Sequence, residues 1–231
     1  MKKRLLRWFW RGLWLLLALV LGVQSWFFAH ILWWRNADPG NTRFMRLALA
    51  ELQLKKPDAK LTHTWVAYER ISIHLKRAVI AAEDSHFLEH DGFDWDGIQY
   101  ALEKNLVRGR ARAGGSTITQ QLAKNLFLSP NRSYLRKAQE ALITLMIEAL
   151  WSKRRILEVY LNVAQWGESV FGAEAAAQRY YGVSAARLGP AASARLAVML
   201  PSPRRYERYF GPVQKARAQR VLLYMKDARP P

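Results

Sequence analysis

The run from Gly12 to Trp34, "GLWLLLALVLGVQSWFFAHILWW", contains no Asp, Glu, Lys or Arg. A helix rises about 1.5 Å per residue, so this run is long enough for a bilayer core of about 30 Å. Tryptophans gather at its two ends, at Trp8, Trp10 and Trp14 and at Trp33 and Trp34, as residues of a membrane interface do. The segment before it carries Lys2, Lys3, Arg4, Arg7 and Arg11 and no acid. Such a flank stays in the cytoplasm and places the chain after Trp34 outside. A cleaved signal peptide needs a shorter apolar region and a small-x-small site. "FFAHILWW" offers none, so the expectation is an uncleaved anchor. The expected organisation is a cytoplasmic basic tail at 1–11, a transmembrane helix at 12–34, a linker at 35–62 and a folded domain at 63–231.

Charge decides which partners suit that domain. The chain has 36 Lys and Arg against 18 Asp and Glu, a formal net charge of +18. A balance of that kind points to nucleic acid, anionic lipid or a phosphorylated substrate. Placement outside the membrane argues against nucleic acid and for an anionic, lipid-linked substrate. The absence of cysteine excludes disulfides and thiolate zinc sites. From Leu75 onward the apolar spacing is helical, so the domain is expected to be mainly α. "TWVAYERIS" alternates like a short strand. "SYLRKAQEALITLMIEALWSKRRILEVYLNVAQWG" predicts one long helix or two in succession, and "GAEAAAQRYYG" a further helix closed by Gly182. "RGRARAGGS", residues 108–116, is basic and glycine-rich and is expected to be mobile.

Six of the acids crowd into "EDSHFLEHDGFDWD", as Glu83, Asp84, Glu89, Asp91, Asp94 and Asp96, with His86 and His90 among them. "HFLEH" matches the H-x-x-E-H pattern of some zinc proteases. "DGFDWDG" follows at once and breaks the helix that such a site needs, so hydrogen bonds shaping a loop are the better expectation for the two histidines. Glu83 follows the apolar run "AVIAA". Burial at that helix end would raise its pKa and make it a base, with Asp84 capping or orienting beside it. Both acids facing water is an equally good reading of the residues alone.

From Lys104 to Gln139 the balance reverses, with eight Lys and Arg and no acid. "GGSTITQQLAKNLF" predicts a helix capped by Ser116 or Thr117, whose free N–H groups could hold a phosphate or sugar oxygen. Thr117, Gln120, Gln121 and Lys124 share one polar face of it. Arg132, Arg136 and Glu140 follow at helical spacing, either as a surface ion pair or as an acid holding arginines for a pyrophosphate.

"EDSHFLEHDGFD", "GGSTITQQLAKN", "RKAQE" and "KRRILEVYLN", in this order, resemble the peptidoglycan glycosyltransferases, the lysozyme-like family that includes the glycosyltransferase domains of class A penicillin-binding proteins. The resemblance covers roughly residues 65–206. No S-x-x-K or K-T-G occurs, so the monofunctional branch is the nearer likeness and no transpeptidase activity is expected. The resemblance implies a lysozyme-like α-helical glycosyltransferase domain at 63–231 on the cell inner membrane. It implies two substrates: lipid II as acceptor and a glycan chain on undecaprenyl pyrophosphate as donor. It implies a β-1,4 bond formed with inversion. Glu83 would be the base and Glu140 the organiser of the cations. Asp84, Ser116, Thr117, Gln120, Gln121, Lys124, Arg132, Arg136 and Lys137 would bind sugar or pyrophosphate. Mg²⁺ or Mn²⁺ would come through the pyrophosphate rather than a protein cage, with no organic cofactor. Cell-wall synthesis proteins are candidate partners. One departure is Gln139, where the family often has lysine, which removes a phosphate contact unless Arg136 or Lys137 supplies it. A glycan-cleaving enzyme and a non-catalytic membrane scaffold are the rival readings.

Overall fold

The computed structural model describes residues 2–108, 115–131 and 133–231. The stretch 109–114, where mobility was expected, and Arg132 therefore lie outside the described residues. The chain forms two compact units, 1–38 and 39–231. The first is dominated by a single helix, α1 (Lys2–Trp34), apolar and long enough to cross a membrane. Near its start Arg11 lies over the Trp8 ring, 5.4 Å from the centroid.

The second unit is mainly α. The segment expected as a linker carries a helix, α2 (Arg43–Gln53), started by Thr42, whose side chain accepts the Met45 N–H. Met45 and Ala48 bury one face of α2, and the helix packs on α5 (Ile118–Phe127). The strand expected at "TWVAYERIS" does not form there. The ordered pair lies just before it, β1 (Thr62–His63) parallel to β2 (Val170–Phe171), with Thr62 opposite Val170. Tyr68–Arg70 is instead a turn of 3₁₀ helix. The reason is local satisfaction of the backbone: the Asn162 side chain accepts the Val66 N–H and donates to the Val66 carbonyl, each at 2.9 Å, and Glu158 accepts the Tyr68 N–H.

Two helical groups make the core. In one, α3 (Ile73–Glu83) and α11 (Pro212–Tyr224) pack against α9 (Pro190–Met199), burying Leu75, Ala78, Val79, Leu196 and Val221. In the other, α5 packs against α6 (Tyr134–Leu150) and α7 (Lys153–Val163) through Ile118, Leu122, Ile143, Ile147 and Leu157. The long helical stretch is thus two helices, because Ser152 caps a new start by accepting the Arg155 N–H. α4 (Trp95–Arg108) follows the acid cluster, and α8 (Ala173–Tyr181) closes at Gly182 with φ +64°, as the pattern predicts. A short α10 (Pro203–Arg208) leads into α11.

Two glycines carry unequal burdens. Gly182 has open space around an added Cβ, whereas at Gly92 (φ +90°) a Cβ would sit 2.6 Å from Thr144 Cγ2. Gly92→Ala is therefore expected to lower stability by about 2–3 kcal/mol or more, and Gly182→Ala by about 1 kcal/mol. Denaturant unfolding of the two variants in detergent checks this order; equal losses would contradict the packing at Gly92.

Candidate active site

Glu83 ends α3, and Asp84 leaves the helix with φ −162°. The Asp84 side chain is only 1% exposed. Its Oδ2 accepts the Ile118 N–H at 2.9 Å, and its Oδ1 accepts from His90 Nε2 at 2.8 Å. His90 Nδ1 accepts the Gly92 N–H, which puts the ring hydrogen on Nε2. His86 instead pairs with Asp94, whose other oxygen accepts the Gly97 N–H in the first turn of α4. The histidines shape the loop. Among the described residues no group of three His, Cys, Asp or Glu side chains could hold a metal ion.

Thr117 is the N-cap of α5. It accepts the Gln120 N–H, donates to the Gly92 carbonyl at 2.7 Å, and its own N–H is accepted by Gln120 Oε1. Thr117 and Gln120 are thus tied to each other by the capping box. Gln121 and Lys124, one turn apart, face the cleft. Gln121 accepts from the Tyr160 hydroxyl through Oε1 and donates through Nε2 to Glu83 Oε2, both at 2.9 Å. Tyr160 therefore fixes the amide so that its NH₂ end meets the carboxylate.

Glu83 is 8% exposed at its side chain. Burial pushes its carboxyl up to about 7, against lowering by the Gln121 hydrogen bond and the Arg217 and Lys124 charges. Lys124 is held below the usual lysine range by burial, with the Glu140 charge opposing. Among the described residues its ammonium forms no hydrogen bond or ion pair. Arg136 and Lys137 both donate to buried Glu140, one to each oxygen, and Lys137 also reaches Ser116 Oγ at 3.3 Å.

These groups line two cavities. A small one of about 160 Å³ is bounded by Glu83, Asp84, Asp94, Ser116 and Thr117. A larger one of about 330 Å³ is bounded by Gln120, Gln121, Lys124, Arg136, Lys137 and Glu140, with Phe44 and Pro130 at its side. Ser116 lines both. Of the residues expected to act here, all but Arg132 are described, and those described stand around these two cavities. Four participants escaped the sequence reading. Tyr160 lies within "KRRILEVYLN", so its motif was in view and its role was not. Phe44 sits in a segment that looked like linker. Pro130 follows α5 without any pattern to mark it, and Arg217 lies far along the chain in a stretch that shows only scattered basic residues.

A buried carboxylate beside a fixed set of cations is the equipment of a group-transfer enzyme whose leaving group is anionic. The Transglycosylase family model matches residues 50–226. Proteins named biosynthetic peptidoglycan transglycosylase are 66% identical in Azoarcus sp. (strain BH72), over 99% of both chains, and 65% identical in Aromatoleum aromaticum, over 96% of both. One from Dechloromonas aromatica is 63% identical over 84% of each chain. The chain belongs to the transglycosylase family: it is a peptidoglycan glycosyltransferase.

The raised Glu83 carboxyl has a cost in stability. Between its ordinary value of 4.5 and about 7, the folded protein binds more protons at this site than the unfolded chain. This group therefore makes stability fall as pH rises through that window and keeps it lowered above. Glu83→Gln is expected to be more stable than the parent at pH 8, by the order of 2–3 kcal/mol, with the difference shrinking towards pH 4.5. Thermal melts of both proteins across that range check it; a constant difference would show that Glu83 is not held up by burial.

Proposed function

We propose that the enzyme polymerises lipid II, taking a growing glycan chain from undecaprenyl pyrophosphate and adding it to the GlcNAc 4-hydroxyl of lipid II. The observation that carries this reading is the juxtaposition of one buried carboxylate, poised at about 7, with a separate cation-lined cavity. Glu83 takes the proton of the 4-hydroxyl as its oxygen attacks C1 of the donor sugar. The C1–O bond to pyrophosphate breaks on the opposite face, which inverts the centre and gives a β-1,4 linkage. Undecaprenyl diphosphate leaves with the electron pair. Lys124 and Arg136 stabilise that developing charge, and Lys137 and Ser116 stand where a phosphate or sugar oxygen would reach them. Arg132, outside the described residues, is proposed to join them. Glu140 holds Arg136 and Lys137 in place.

Four of the expected contacts take another form in this mechanism. Asp84 and the Thr117–Gln120 pair fix the start of α5 and contribute to binding by position. Gln121 orients the base. Mg²⁺ or Mn²⁺ is proposed to arrive on the pyrophosphate oxygens: both Glu140 oxygens already serve Arg136 and Lys137, so this acid is a poor metal ligand. We propose that α1 anchors the enzyme in the inner membrane with its catalytic unit on the outer side; the apolar length of α1 and the basic N-terminal flank support this reading.

Purified enzyme is expected to convert lipid II into glycan strands and to leave finished peptidoglycan intact; cleavage of finished peptidoglycan without polymerisation would overturn the reading. Glu83→Gln cannot accept the proton and is expected to lose about 10²–10⁴-fold in turnover while still binding a phosphoglycolipid donor mimic. Glu140→Gln frees Arg136 and Lys137 and is expected to lower turnover and mimic affinity together. Turnover and mimic binding measured on the same two preparations separate the roles; the same defect in both variants would refute the assignment.

A further inference from the structure

The two oxygens of Glu83 are treated differently. Gln121 donates to Oε2, whereas Oε1 is buried and has no hydrogen-bond partner among the described residues. The cation that faces Oε1 is Arg217, whose Nη2 lies 3.8 Å away. The same nitrogen donates to the Ala82 carbonyl at 3.4 Å. That carbonyl belongs to the last turn of α3, where backbone acceptors have no partner within the helix and a cation is favourable. Arg217 is carried by α11, which packs against both α3 and α9, so its reach is set by the core.

We propose that Arg217 is a positioning residue for glycosyl transfer: its guanidinium clamps the end of α3 through Ala82 and stands against Oε1 as the counter-charge of the base. This inference rests on the reading of Glu83 as the base. Among the described residues, the other groups around that carboxylate are Gln121 and Lys124 on α5, Asp84 in the adjoining turn, and the Tyr160 hydroxyl on α7 behind Gln121. Asp84 disfavours ionisation of Glu83, and Lys124 favours it. In the mechanism above, Lys124 meets the donor pyrophosphate, and a bound anion offsets its field at Glu83. Arg217 is then the cation that keeps the base ionised in the loaded site. It does not line the cation-rich cavity.

The test is the pH dependence of kcat, which reports groups in the loaded enzyme, for lipid II polymerisation in detergent between about pH 5 and 9, for the parent, Arg217→Ala and Arg217→Lys, with Glu83→Gln as reference and a thermal melt of each. Arg217→Ala is expected to move the acid limb up by about half a unit or more, a loss of about threefold or more on that limb that shrinks above pH 8. KM should change little, and Arg217→Lys, which keeps the charge, should return the limb towards the parent. A loss uniform across pH, or a raised KM with an unmoved limb, would overturn the inference in favour of a purely structural or substrate-binding arginine. If Glu83→Gln keeps near-parent turnover, the reading of the base itself falls; if that variant is inactive and the Arg217→Ala limb stays in place, only the role of Arg217 falls.

Discussion

The Asp84 carboxylate accepts the Ile118 N–H at the start of α5 through one oxygen and the His90 Nε2–H through the other. A carboxylate at a helix start satisfies a donor that the helix leaves unpaired and meets the positive end of its dipole. Here the acid also sits directly after Glu83, so one side chain registers the end of α3 against the start of α5. The loop between them is held by the same network, because His90 accepts the Gly92 N–H and Thr117 donates to the Gly92 carbonyl. Lys153 pins the loop from below through the His90 carbonyl and pairs with Glu148, which accepts from Thr119. Gln121 can meet Glu83 at 2.9 Å only because this joint is fixed.

The electrostatics then follow from what is buried and what is paired. Glu83 is desolvated and given one neutral donor, so its carboxyl is raised. Arg136 and Lys137 are given a buried counter-ion in Glu140, so two cations can stand close together beside Lys124. Lys124 has no such partner among the described residues and, in the proposed mechanism, is the cation with most to gain from an incoming phosphate. In the proposed mechanism the charges are arranged before substrate arrives, and preorganisation of this kind lowers a barrier without reorganisation during the reaction. The surrounding helices supply the apolar contacts that hold an ionisable group where water is scarce.

Much of this was legible in the sequence because it rests on short-range pattern. The apolar run, the helix start at Ser116 or Thr117, the αL glycine at Gly182 and the acid at the end of "AVIAA" are all local signals, whereas the break at Ser152 that divides the long helical stretch was left open. The pairing of Arg136 with Glu140 is also local, at i and i+4. The polar face of α5 was visible, but its division was not: Thr117 and Gln120 close on each other in a capping box, while Gln121 and Lys124 are left for the cleft. The missing parts are long-range. Arg217 and Tyr160 reach the site through tertiary packing of α11 and α7, which no spacing encodes. α2 was hidden by the polar and Pro-Gly residues around it, and "TWVAYERIS" looked like a strand because its alternation could not reveal that Asn162 and Glu158 would take its backbone groups.

The account stands on a carboxyl held near neutrality by burial at the end of α3. The most direct measurement is a ¹³C NMR titration of the side-chain carboxyls in protein labelled at glutamate, with Glu83 assigned by its disappearance in Glu83→Gln. Burial predicts a Glu83 midpoint at about 7. A Glu83 midpoint near the ordinary 4.5 would contradict it, since the site would then be wet and the carboxylate no better a base than one on the surface.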